Sequence, residues 1–243
     1  WNDFCDWYVE FAKQRFNNKE TNNRQISEKV LIKVLNDILV MIHPFMPHIT
    51  EELWHVLQLK SDKELLSLQK WPTQENKFVD NKLDNSFQQL FEIIRLIRNL
   101  RAELGLKPSE KVPVYLISDN DELIDFLKIL VDDIQTLTKS SEVFIFKPNA
   151  VDKKEFAKSF SGIISDLEVY LPFQDFVNID ALKERLNKDL KKVTIELDNL
   201  NKRLSNKNFV DKAPKDIVDE CRFKLNEGSV QMERITKKLE LLN

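Results

Sequence analysis

The sequence contains few of the residues on which phosphate-binding loops and disulfide frameworks depend. Glycine occurs only 3 times in 243 residues, and no two of the glycines are close enough to form a loop whose backbone amides could surround a phosphate. Only Cys5 and Cys221 are present, without a CxxC spacing, so the cysteines predict neither a disulfide framework nor a thiolate zinc site. The sequence therefore lacks a nucleotide-binding loop and indicates a reducing, cytoplasmic compartment.

Long apolar runs are missing as well. The longest, Ile38 to Ile42, is far shorter than the roughly 20 residues that a membrane-spanning helix requires, and no basic and then apolar leader opens the chain. The hydrophobic content of 42% is nevertheless sufficient for ordinary buried cores. We therefore expect a soluble protein without a membrane partner.

No side chains in the sequence resemble a catalytic nucleophile with its base, or a pair of carboxylates on a defined cleft. The histidines are clustered at His43, His48 and His55, and zinc accepts imidazole ligands. However, His48 and His55 have no cysteine or carboxylate partner at ligand spacing, so packing at a bend is favoured over metal binding. We predict no catalytic residue, no metal ion and no cofactor in this chain.

Helical spacing of apolar residues predicts an all-α bundle over residues 1–105. The first helix has no usual capping residue, so we expect that it began upstream in a longer chain. Pro44 and Pro47 predict a bend, Ser61 and Glu64 resemble a capping box, and Gly105 is a candidate C-terminal cap. The predicted helices cover residues 1–16, 26–42, 49–57 and 85–104.

After Pro108 the pattern changes to short β-branched and aromatic runs, which predict a small α/β connector over residues 106–176. A strand–helix–strand unit and a β-hairpin about Asp166 are expected there. The predicted strands cover 112–118, 142–146, 160–165 and 167–171, with a helix over 122–134.

Residues 177–243 carry two apolar seams with spacings of three and four, Ile179 to Leu204 and Val218 to Leu242. A polar break between them ends at Pro214, a favourable first residue for a helix. The two seams predict an antiparallel coiled-coil hairpin. The predicted fold is therefore mainly α, with a helical bundle, a small α/β connector and a C-terminal hairpin.

The charge is unevenly distributed, although the net charge is only -3. Basic residues outnumber acidic ones in the hairpin, whereas acidic residues outnumber basic ones before it, an asymmetry that can mark contact with phosphate. In coiled coils, most surface charges only solvate the fold and pair with neighbours such as Glu184 and Asp189. Both interpretations stay open for the hairpin's candidate binding residues, Arg185, Lys188, Lys192, Lys202, Arg203 and Lys212.

A second basic set follows the last predicted bundle helix. Arg95, Arg98 and Arg101 are spaced by three and should form one stripe, which Lys107 extends. This stripe is equally consistent with a solvated face near the helix C-terminus and with a face that contacts phosphate.

Several segments resemble class I aminoacyl-tRNA synthetases. The sequences of residues 1–8 and 43–54 are similar to the anticodon-binding bundle of the valine, isoleucine and leucine enzymes, and the match continues through 98–103 and 111–114. Leu171-Pro172 and residues 208–214 resemble the C-terminal arm of valyl-tRNA synthetases. Isoleucine enzymes commonly end in a cysteine-rich zinc module, and leucine enzymes in a different compact domain. The resemblance therefore favours the valyl-tRNA synthetase family.

This resemblance implies a tRNA-binding C-terminal portion, with the bundle at the anticodon and the hairpin at the outer corner of valine tRNA. The parent enzyme would join valine to tRNA with ATP and Mg²⁺ in a catalytic domain, whose HIGH and KMSKS signatures are not in this sequence. The implied partners are valine tRNA and the catalytic and editing domains of the same parent chain. We expect a monomer that is catalytically inactive by itself.

The rim of the bundle could contact anticodon bases by stacking and charge. Lys13 and Arg15 are its candidate tRNA-binding residues, beside Trp7, Tyr8, Phe11 and Phe16. For Trp7 and Phe11 we favour a place in the core. The alternative functions are a coiled-coil scaffold that pairs with a second chain, or the equivalent region of an isoleucyl- or leucyl-tRNA synthetase.

Overall fold

The computed structural model describes residues 3–17, 21–57, 64–74, 78–173 and 177–242. It confirms a mainly helical protein with one small sheet and a C-terminal helical hairpin. The chain forms two compact units, Trp1–Asn85 and Ser86–Asn243. The finer three-part division at residues 105 and 176 stays a prediction. None of the helices in the described ranges is long and apolar enough to cross a membrane.

The first unit is helical, as predicted. A π-helical turn, Asp3–Tyr8, leads into α1 (Val9–Asn17), followed by α2 (Thr21–Ile42), α3 (Pro47–Val56) and a 3₁₀ turn, Leu66–Leu68. The π-helical start was not predicted, and α3 begins at Pro47 rather than Ile49. Proline is suited to this position because its missing N–H would have no partner in the first helical turn. The predicted capping box at Ser61 lies outside the described residues.

A small core of Leu39, Val40, Trp54 and Leu66 holds α2, α3 and the 3₁₀ turn together. Trp54 is fully buried, and its indole Nε1 donates a hydrogen bond to Asn36 Oδ1 at 2.8 Å.

The histidine cluster contributes to this packing around Glu51. The Glu51 carboxylate accepts the backbone N–H of Leu66 at 2.9 Å, and the ring of His55 lies 3.1 Å from it. His43 contacts Thr50 Oγ1 at 2.9 Å, while His48 is exposed. The arrangement agrees with the packing interpretation of the cluster.

The long helix α4 (Asn81–Leu104) starts at Asn81 rather than Asn85 and ends at the predicted cap. Gly105 adopts a φ of 73°, and Leu106 N–H bonds to the Arg101 carbonyl at 3.0 Å. These are features of a Schellman C-cap, in which a left-handed residue closes the last helical turn.

The second unit contains four strands, β1 (Val114–Ser118), β2 (Val143–Phe146), β3 (Ser159–Ile164) and β4 (Leu167–Pro172). They form one sheet in the order β2-β1-β4-β3. Strands β1 and β2 are parallel, whereas β4 runs antiparallel to both β1 and β3, so the predicted hairpin about Asp166 is confirmed.

Helix α4 packs closely on this sheet because Gly162 in β3 has no side chain. A Cβ at that position would lie 2.6 Å from Leu96 Cδ1. The single helix predicted over 122–134 is wrong: α5 (Asp121–Ile129) and α6 (Val131–Thr138) are separated at Leu130. No glycine or proline marks this break in the sequence.

The hairpin consists of α7 (Ile179–Ser205) and α9 (Lys215–Leu241), which pack along the predicted seams. Each arm has 27 residues and is therefore about 40 Å long. The polar break contains an additional short helix, α8 (Lys207–Lys212), because the Asn206 side chain caps it by accepting Asn208 N–H. Buried seam residues are Leu182, Leu186, Val193, Leu197, Leu200, Val218, Cys221, Ile235 and Leu242.

Candidate nucleic-acid interface

Four of the predicted hairpin cations, Lys188, Lys192, Lys202 and Arg203, lie on the exposed surface of α7. Lys188 pairs with Glu184 at 2.7 Å and Lys192 with Asp189 at 3.7 Å, both along the same helix. The hydrogen bond from Lys188, together with its charge, lowers the pKa of Glu184. Such exposed pairs are weak, so both lysines can exchange their partner for a phosphate at little cost.

Lys192 and Arg203 line a groove of about 520 Å³ between α7 and α9. The Arg203 guanidinium lies 5.0 Å from the centre of the Phe209 ring. Ile195 and Ile217, also in the groove, are 53% and 42% exposed. Cations beside exposed apolar side chains can contact both the phosphates and the less polar sugar and base surfaces of RNA.

The sequence prediction missed one cation of this groove. Lys224 of α9 lines the same groove as Lys192 and Arg203, and it pairs with Glu220 at 2.6 Å. Lys224 lies in this groove because of the way in which α9 is aligned with α7. The charge pattern of one arm alone does not reveal this alignment.

Arg185 differs from the other predicted hairpin cations. It is half-buried at the hairpin base, where its Nη2 donates hydrogen bonds to the carbonyls of Glu103 and, at 3.4 Å, Ala102. Its tRNA-binding role stays a prediction, and these contacts favour a structural role. The side chain of Lys212 lies outside the described part of the chain.

The three arginines of α4 do not form one exposed stripe. Arg95 and Arg98 are exposed, and Arg98 Nε donates to the Leu137 carbonyl at 3.0 Å. Arg101 is only 6% exposed. The physical reason is that a step of three residues rotates by about 60° around a helix of 3.6 residues per turn, so two steps bring Arg101 inward.

Arg101 holds the loop that follows α4. Its Nη2 donates to the carbonyls of Glu110 at 2.8 Å and Lys107 at 3.3 Å. Burial lowers the pKa of the Arg101 guanidinium, and the nearby Glu110 carboxylate partly offsets that shift. The Lys107 residue itself is exposed. The tRNA-binding role of both residues stays a prediction, and the contacts of Arg101 favour a structural role.

Replacing Arg101 with methionine should destabilise the second unit by about 1–3 kcal/mol, because two loop carbonyls lose their donor. The matched Arg222→Met variant alters an exposed arginine of the same unit and should change stability by at most about 0.5 kcal/mol. Urea unfolding followed by circular dichroism measures both. Equal stability of the two variants would contradict the structural role of Arg101.

In the bundle, Trp7 and Phe11 are buried, which confirms their assignment to the core. Tyr8 donates its hydroxyl to the Ser27 carbonyl at 3.2 Å. Lys13 is exposed and pairs with Glu10 at 2.5 Å, and Arg15 is half-buried. The aromatic part of the predicted rim therefore consists of Tyr8 and Phe16, which are both half-buried.

Residues 1–116 match the family model for the anticodon-binding domain of tRNA ligase, and residues 178–243 match the valyl tRNA synthetase tRNA binding arm. Both matched regions coincide with the segments that carry the predicted basic sets. The chain belongs to the valyl-tRNA synthetase family. The equivalent regions of isoleucyl- and leucyl-tRNA synthetases are thereby set aside.

Relatives with full-chain similarity agree with this family. The chain is 72% identical over 242 residues to the valine–tRNA ligase of Prochlorococcus marinus subsp. pastoris. It is 37% identical to that of Synechocystis sp. and 34% identical to that of Thermotoga maritima. These alignments cover 99–100% of this chain but only 26–27% of each relative. The chain thus spans about a quarter of the length of its valyl-tRNA synthetase relatives, and both matched models describe tRNA-binding rather than catalytic domains.

Proposed function

We propose that the chain binds valine tRNA at two places, with the bundle at the anticodon and the hairpin at the outer corner. The observation that carries the proposal is the presence of two tRNA-binding family matches on one chain, at residues 1–116 and 178–243. Two weak contacts on one chain reinforce each other, because the second forms at a high effective concentration once the first exists.

The chemistry of each region supports this division. Anticodon bases are unstacked and accessible to hydrogen bonding and stacking, for which a helical bundle can supply side chains. The tRNA corner presents backbone and loop surface, and a stiff hairpin with Lys192, Lys202 and Arg203 exposed suits phosphate contact.

The packing of the hairpin argues against the scaffold alternative. The apolar seam of α7 is buried against α9 of the same chain, including Leu186, Val193 and Leu197. A coiled coil that is complete within one chain needs no second chain, which supports a monomer.

We infer that the whole enzyme ligates valine to tRNA with ATP and Mg²⁺ in the cytoplasm, through catalytic and editing domains of the same chain. This inference follows the relatives, which are named valine–tRNA ligases. We assign no cofactor site to this chain. It should therefore show no valine-dependent pyrophosphate exchange and no hydrolysis of mischarged tRNA, and activity above background in either assay would contradict the assignment.

Binding of valine tRNA by the chain should weaken steeply with salt, because each neutralised phosphate releases counterions. With several contacts, affinity should fall by at least about tenfold between 50 and 200 mM salt. Filter-binding titrations of valine tRNA at a series of salt concentrations measure the slope. A tRNA with a different anticodon, titrated in parallel, is the control for the bundle.

A flat salt response would argue against phosphate contacts and for the scaffold. Equal affinity for the two tRNAs would mean that the bundle does not recognise the anticodon, and only the contact with the tRNA corner would still be supported.

A further inference from the structure

The cap at the C-terminal end of α4 bonds to the carbonyls of Ala102 and Arg101 but not to that of Glu103. Gly105 N–H bonds to the Ala102 carbonyl at 3.0 Å, and Leu106 N–H bonds to the Arg101 carbonyl at 3.0 Å. The Glu103 carbonyl instead accepts Arg185 Nη2 from the hairpin arm α7. A cation at this end of a helix is favoured by the free carbonyls and by the helix dipole.

Gly105 makes space for this contact as well as for the turn. A Cβ at Gly105 would lie 2.7 Å from Arg185 Nη1, and its φ of 73° disfavours other residues. The loop after α4 is therefore shaped so that the guanidinium can reach the helix end.

The second arm of the hairpin contacts the side chain of Glu103. Lys238 Nζ on α9 lies 2.8 Å from Glu103 Oε2, and it also lies 5.7 Å from the centre of the Phe160 ring in β3. The Lys238 side chain is 24% exposed, so this ion pair is more shielded than the pairs along the hairpin. Arg185 of α7 thus contacts the backbone carbonyl of Glu103, and Lys238 of α9 contacts the Glu103 carboxylate.

Beside these contacts, a groove of about 890 Å³ separates the end of α4 from the two arms. Its lining mixes polar side chains, such as Asp189 and Arg234, with apolar ones, such as Leu186 and Ile235. Apolar packing at this place is consequently incomplete, and the bonds to Glu103 bridge the remaining space.

We propose that Arg185 and Lys238 are positioning residues, which fix the direction of the hairpin through Glu103. We call these three residues the Glu103 clasp. An arm about 40 Å long moves its tip by about 7 Å when its base rotates by 10°. The consequence for tRNA rests on the proposed function: without the clasp, the hairpin should no longer meet the tRNA corner in one orientation.

The direct test measures the distance from α5 to the tip of the hairpin. Spin labels are placed at the exposed Asp125 and Ser205 through cysteine substitutions, after Cys5→Ser and Cys221→Ala. The clasp variant combines Arg185→Met with Lys238→Met. The control variant combines Arg222→Met with Lys191→Met, which removes the same charge from the hairpin without touching α4.

Pulsed electron–electron double resonance should give one narrow distribution of label-to-label distances for the parent and for the control. The clasp variant should give a distribution broadened or shifted by several ångströms, and Glu103→Gln, which keeps the backbone acceptor, should lie between them. Circular dichroism verifies that the helices persist, and the milder Glu103→Gln variant tests the clasp if the double variant unfolds. A clasp variant with the parent's distribution would overturn the proposal.

The second part of the test examines tRNA binding by hydroxyl-radical footprinting of valine tRNA. The clasp variant should keep protection of the anticodon loop and lose protection of the corner, whereas the control should keep both. Intact corner protection would overturn the positioning role. Failure of the parent chain to bind tRNA would contradict the proposed function instead, and the distance measurement would still decide on the clasp.

Discussion

Replacing Trp54 with alanine should destabilise the first unit by about 3–5 kcal/mol, since a large buried aromatic side chain is lost and a cavity remains. Trp54 is fully buried against Leu39, Val40 and Leu66, and the substitution also leaves Asn36 without its indole donor. Domains of this kind are stable by only about 5–15 kcal/mol in total, so the first unit should lose most of its stability.

Urea unfolding followed by circular dichroism measures the effect. Trp71→Ala is the matched control, because that indole is 60% exposed and its loss should change stability by at most about 0.5 kcal/mol. If both variants unfolded at the same urea concentration, the small core around Trp54 would not be what holds α2 and α3 together.

Trp54 also explains why part of the family resemblance can be recognised from sequence. It closes the segment 43–54, in which Thr50 and Glu51 bond to neighbouring backbone groups of the same unit. This segment is distinctive because its residues build the bend and the core. Its resemblance therefore identifies the family without identifying a tRNA contact.

The hairpin could be predicted because its signal is repeated. The seams of α7 and α9 place an apolar residue at every third or fourth position, so the pattern is recognisable although Leu190 is only half-buried. The β-hairpin about Asp166 was predicted for a similar reason, because two β-branched runs flank a polar turn.

The contacts of individual arginines could not be predicted in this way. Arg101 and Arg185 have no local signal that separates them from exposed arginines, and their partners are carbonyls of the loop after α4 and of α4 itself. Every residue has a backbone carbonyl, so the sequence does not show which residue is the partner of Arg101 or Arg185. Arg185 in particular depends on the approach of α7 to α4, which only the tertiary structure provides.

Reversing the charge of Lys192, Lys202 and Arg203 to glutamate should lower the affinity for valine tRNA by roughly tenfold or more and reduce the salt slope by about three. Arg185 is excluded from this set, because a carboxylate there would face the Glu103 carbonyl at the negative end of α4. The three chosen side chains are exposed, and each contributes at most about 1 kcal/mol to folding. The melting temperature should therefore change by only a few degrees.

The control reverses Lys191, Arg222 and Lys237, which changes the net charge of the hairpin equally but leaves the groove cations Lys192 and Arg203 in place. Filter binding compares both variants with the parent at several salt concentrations. If the hairpin attracted tRNA only through its net charge, both variants should lose affinity to a similar extent, because both lose the same net charge. Direct phosphate contact acts within hydrogen-bonding distance, so only the first variant should lose the three units of slope. If the two variants lose the same affinity, the surface of Lys192, Lys202 and Arg203 is not the site where the hairpin contacts tRNA.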